Sequence, residues 1–105
     1  MENLRNTTNL VREALRVSKK ARNSDDYLYY LVCKSIMQTE GYKIDQMSFP
    51  RVMLKRKEYG LPGYETVRRS RQKCQQEYPD LRADADVEAE RAIREEAYRE
   101  FARKG

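Results

Sequence analysis

A chain of 105 residues and 12.5 kDa is the length of one domain with a modest core. With 37% charged residues and a mean hydropathy of −1.02 it is polar for a folded protein, yet 10% aromatic residues argue against simple disorder. No apolar run approaches the roughly 18–20 residues of a membrane span, and the N-terminus lacks the apolar stretch of a signal peptide. The expectation is a soluble, cytoplasmic, non-enzymatic protein.

Several absences sharpen that expectation. The chain has no histidine, which removes the commonest general base and the commonest metal ligand. Cys33 and Cys74 stand far apart, outside any metal-ligand spacing. They read as two buried reduced thiols, with a disulfide between them left open. No glycine-rich phosphate loop and no Ser/His/Asp set is present, so no cofactor, metal or catalytic residue is expected.

The net charge of +5 is unevenly spread. Residues 1–42 carry +2, residues 43–83 carry +5 and residues 84–105 carry −2. The excess is sharpest where Arg51, Lys55, Arg56, Lys57, Arg68, Arg69, Arg71 and Lys73 meet only Glu58 and Glu65. A clustered excess builds a local positive potential that attracts polyanions.

Apolar residues recur with helical spacing throughout, so the fold expected is all-α, with about five helices in a single domain. Leu10, Ala14, Val17 and Ala21, with Val11 and Leu15 beside them, form the inner stripe of a first helix over 8–21. Asn23 or Ser24 caps a second, central helix reaching Glu40, where Gly41 suits the left-handed C′ position. Its tyrosines read as packing, with a base-stacking surface as the alternative. A short connection follows, in which a hairpin over 42–47 is possible. Ser48 and Pro50 open a third helix over 49–59 that buries Phe49, Val52 and Met53. Gly60-Leu61-Pro62-Gly63 is a four-residue turn. The fourth helix runs from Tyr64 to Glu77 and stops before Pro79. Tyr64, Val67, Cys74 and Tyr78 mark its inner side, with Arg71 in the vacant place on that line. Asp84 or Asp86 caps a fifth helix, with Ala85, Ala89, Ile93, Ala97 and Phe101 aligned; it packs back or forms a homodimer seam. Residues 1–82 are the expected core, 84–103 the C-terminal helix.

The third and fourth helices, over 48–78, read as a helix-turn-helix-like unit, in which the second helix would enter a DNA major groove. Arg68, Arg69, Gln72 and Gln75 are expected to be exposed and able to reach base edges. Tyr64 and Thr66 suit phosphates at the groove mouth, and Arg51, Lys55, Arg56 and Lys57 suit the backbone, with Arg71 and Lys73 adding charge. The candidate partner is therefore duplex DNA. The competing readings are a protein-facing role for the same basic face, or a merely solvated one.

Three stretches carry a resemblance. Asn23-Ser24-Asp25-Asp26-Tyr27-Leu28-Tyr29 is the first, Glu58-Tyr59-Gly60-Leu61-Pro62-Gly63-Tyr64-Glu65-Thr66-Val67-Arg68-Arg69-Ser70-Arg71-Gln72-Lys73 the second, and Tyr78-Pro79-Asp80-Leu81-Arg82 the third. Together they resemble a group of small uncharacterised proteins encoded by phages and prophages of Firmicutes, over about residues 20–100. The resemblance implies a phage origin and a host-cytoplasmic setting, and carries no activity or site residues with it. Small phage proteins are often DNA-binding regulators or replication accessories. Others inhibit host defence, as anti-CRISPR proteins do, and binding to a host nuclease or nucleoprotein is the alternative function.

Overall fold

The computed structural model describes residues 2–104, and side chains from 7 to 103. It is all-helical: α1 (Glu2–Val17), α2 (Lys19–Asn23), α3 (Asp25–Thr39), α4 (Phe49–Leu54), α5 (Tyr64–Glu77) and α6 (Ala85–Lys104). Among the described residues there is no strand. Where a hairpin was possible, a single 3-10 turn forms at Ile44–Gln46.

Small polar side chains set the helix starts. Ser18 Oγ accepts from the Ala21 N–H at 3.1 Å, Ser24 Oγ from Tyr27 at 3.2 Å and Ser48 Oγ from Arg51 at 3.3 Å. Each satisfies a first-turn donor that has no partner within its own helix. Ser18 thereby divides the expected first helix in two, which turns Val17 out to solvent instead of onto the inner stripe. Arg22 bridges the break, its Nε donating to the Leu15 carbonyl at 2.6 Å.

Gly41 closes α3 as expected, at φ 84°, with Tyr42 N–H bonded to the Met37 carbonyl and Gly41 N–H to that of Gln38. The same device recurs unannounced at Gly60, at φ 69°, with Leu61 N–H on the Arg56 carbonyl and Gly60 N–H on that of Lys57. It corrects the third predicted helix, which stops at Leu54 instead of residue 59. The connection to α5 is accordingly residues 55–63 and not a four-residue turn.

The core lies where α1, α3 and α5 pack on one another. Val11, Leu15, Ala21, Leu28, Val32 and Val67 are fully enclosed. Burying a leucine such as Leu15 or Leu28 contributes about 1.5–3 kcal/mol. A second cluster at the far end of α3 joins Cys33 and Met37 to Tyr59 and Leu61. The tyrosines of α3 serve packing: Tyr27 and Tyr29 lie against the core, and Tyr29 Oη donates to the Pro62 carbonyl at 2.8 Å. Two expectations about burial fail. Phe49 (75% exposed) and Met53 stand in solvent, with only Val52 of that helix half-covered. The line Ala85, Ala89, Ile93, Ala97 and Phe101 is exposed along its whole length, so α6 does not pack it back on the core.

Both cysteines are free and buried. Burial pushes the Cys33 thiol up from 9.0 to about 11, and pushes Tyr29 and Tyr64 up from 10.0 to about 12. All three hold their protons more tightly folded than unfolded. Their contribution is therefore complete below about pH 9 and is lost as pH rises toward 11–12. The melting temperature should fall steadily from about pH 9 upward, and a flat profile to about pH 11 would contradict this assignment.

Candidate nucleic-acid interface

α5 is the element on which the candidate site depends. Val67, Arg71 and Cys74 face the core, which leaves Glu65, Arg69, Lys73 and Gln76 on the outward side. Arg71 does fill the vacant place on the apolar line, and the structure supplies what a guanidinium needs there. Its Nε donates to Asp25 Oδ1 at 2.8 Å and its Nη2 to Asp25 Oδ2 at 3.2 Å, in a fork-to-fork pair across two helices. Its Nη1 donates to Gln75 Oε1 at 3.3 Å.

Gln75 was expected to be exposed and is buried. Its Nε2 donates to the Leu81 carbonyl at 2.9 Å and to that of Arg22 at 3.4 Å. The physical reason is its place beside Arg71 on the same helix face, where an amide can satisfy both a guanidinium and the carbonyls of the chain crossing below. Arg71 and Gln75 thus have their polar atoms committed inside the protein.

The remaining candidates divide by what holds them. Arg68 Nε donates to Glu65 Oε2 at 3.0 Å, and Arg69 Nε stands 3.5 Å from Glu65 Oε1, so one carboxylate serves two of the expected base readers. Gln72 Nε2 donates to Glu95 of α6 at 2.8 Å. Tyr64 Oη donates to Asp26 Oδ1 at 2.9 Å. Thr66 is half-buried, and Arg56 lies back against Tyr29 and Gly63. Arg51, Lys55, Lys57 and Lys73 are exposed, and no described carboxylate pairs with any of them.

Exposed pairs such as Glu65 with Arg69 are individually weak. A phosphate backbone can therefore compete for these guanidiniums, with Glu65 as the opposing charge. Glu65→Gln should raise affinity for a duplex severalfold at about 50 mM salt by removing that opposing charge. Equal or weaker binding in a fluorescence titration would contradict this arrangement.

Residues outside the sequence-derived set complete the picture. Arg91 of α6 donates to the Arg22 carbonyl at 3.1 Å, and its Nη2 stands 3.7 Å from Asp25 Oδ1. Burial and the neighbouring Arg71 lower its pKa. The signal for this centre was Arg71 itself, since a guanidinium on an apolar stripe requires a carboxylate. The sequence offered several carboxylates and no reason to prefer Asp25. Between α5 and α6 lies an open cleft of about 1120 Å³, lined by Arg68, Gln72, Arg91, Arg94 and Tyr98 among others. Among the described residues no group of carboxylates and thiols could hold a metal ion, and no helix is long and apolar enough to cross a membrane. No family model, curated protein or solved structure matches the chain.

Proposed function

We propose that this protein binds duplex DNA, without catalysis, through the exposed cations of α4, the turn after it and the outward side of α5. The observation that carries the reading is charge left uncommitted. Arg51, Lys55, Lys57 and Lys73 have no described carboxylate partner, and Arg69 has only a share of Glu65. In this reading α4 and α5 act as a helix-turn-helix-like pair joined by a longer connection. Arg51, Lys55 and Lys57 hold phosphates, while Arg69, Lys73 and Gln76 face the groove.

The test is a titration of nucleic-acid-free protein into a fluorescent duplex of about 20 base pairs at about 50 mM salt. Binding is expected. A protein that leaves every duplex tested unshifted at that salt is not a DNA-binding protein of this kind.

One observation favours a second reading. Phe49 and Leu54 stand exposed among the same cations, which suits a protein partner better than a phosphate backbone. In that case the chain is a non-enzymatic inhibitor of a host defence complex, of the anti-CRISPR type. A host partner captured from nuclease-treated lysate, with no duplex binding, would favour it.

A further inference from the structure

The molecule carries two unpartnered apolar surfaces whose charged surrounds are opposite in sign. The first is on α6. Val87, Glu88 and Arg91 seat that helix, half-buried against the body. Ile93 and Ala89 each lie two residues from Arg91, hence about 160° round the helix from it. Ala89, Ile93 (69% exposed) and Ala97 therefore face away from the body. Asp86, Glu90, Glu96 and Glu100 stand seven and three residues before and after Ile93, on that same side, all exposed; Glu90 pairs with Arg94 at 3.9 Å and Glu96 with Arg99 at 3.8 Å along the helix. The second surface is α4 and the turn after it. Phe49, Met53 and Leu54 (86% exposed) are interleaved with Arg51, Lys55 and Lys57, and Glu58 is the one carboxylate of that segment.

We infer that α6 of one molecule docks on α4 of a second copy. Apolar side chains meet apolar side chains, and three cations without a described carboxylate partner face four carboxylates, of which Asp86 and Glu100 pair with no described cation and Glu90 and Glu96 are held only in weak exposed pairs within α6. The chain cannot satisfy the match alone, because the contacts that seat α6 turn its acidic face outward. Pairing α6 with α6 would set Asp86, Glu90, Glu96 and Glu100 against their own copies, a like-charge arrangement. A reciprocal exchange closes the assembly with two identical contacts, which doubles the buried area and leaves neither surface bare. A long helix packed on the body only near its start also gains from a partner, since most helical stability in proteins comes from packing of a face. The cations engaged are shared with the proposed DNA contact. The tests use nucleic-acid-free protein, so either reading can fail without the other.

The measurement is mass in solution by sedimentation or light scattering, at about 50 mM salt, against the chain mass of 12.5 kDa. The unmodified chain should show twice that mass. Arg51→Glu/Lys55→Glu/Lys57→Glu should weaken association about tenfold or more, and so should Glu90→Lys/Glu96→Lys/Glu100→Lys. All six positions are exposed, and unchanged helicity by circular dichroism verifies folding. A chain carrying both triple reversals restores complementarity and should associate again. The inference is overturned if the unmodified chain is monomeric at about 0.5 mM. It is equally overturned if the α4 reversal leaves association intact, or if the doubly reversed chain stays monomeric.

Discussion

Asp25→Ala should destabilise the fold by about 3–5 kcal/mol, the range for removing one partner of a buried ion pair. Asp25 takes both donors of Arg71's fork and stands 3.7 Å from Arg91 as well. Arg71 and Arg91 are 7% and 14% exposed at their side chains, so water cannot replace the carboxylate. Deleting it leaves two enclosed guanidiniums facing one another, and the loss is chiefly this desolvated, uncompensated charge. For a domain of about 100 residues the melting temperature should fall by 15 °C or more. Asp25→Ala combined with Arg71→Met should recover part of the loss, because one buried charge is then gone with its partner. Thermal and urea unfolding followed by circular dichroism read both variants. A loss below about 1 kcal/mol for Asp25→Ala would mean that this centre does not hold α3, α5 and α6 together.

Replacing Arg51, Lys55, Lys57, Arg69 and Lys73 together by Gln should reduce duplex affinity about a thousandfold at about 0.1 M salt. Each cation that neutralises a phosphate releases close to one condensed counterion, and five such contacts multiply. The five positions are exposed, so stability should change by less than about 0.5 kcal/mol per site. That separation of affinity from folding is the point of the variant. Arg71→Gln would also impair binding, but through unfolding, and its melting curve would reveal it. Retained affinity in a well-folded five-site variant would place any DNA contact elsewhere on the molecule.

Much of the architecture was legible in the residues. The apolar spacing of Val11, Ala14, Leu15 and Ala21, the caps at Ser24 and Ser48 and the left-handed Gly41 are local signals, and local physics decides them. Gly60 was legible as a stop, but not as the second half of a turn beginning at residue 55. A helix running on to residue 59 and a helix ending at Leu54 with a separate turn after it both place glycine at residue 60, so the glycine alone does not reveal the break at residue 55. The exposure of Phe49 and of Ile93 was hidden for a different reason. Helical spacing shows that residues share a face, and says nothing about whether another element covers it. The choice of Asp25 as Arg71's partner depends on how α3 crosses α5, 46 residues away in sequence. Of the eight clustered cations, Arg51, Lys55, Lys57, Arg69 and Lys73 are exposed, while Arg56 and Arg68 are half-buried. Arg71 and Gln75 are instead the buried polar centre that holds α5 in place.

The salt dependence of duplex affinity probes the uncommitted cations most directly. Measured by fluorescence anisotropy between about 50 and 200 mM salt, log affinity should fall with log salt at a slope near −4.5, as about five neutralised phosphates require. The five-site variant should flatten that slope toward zero. Duplex binding whose slope is already shallow in the unmodified chain, near −1, would contradict a grip on the phosphate backbone by these side chains.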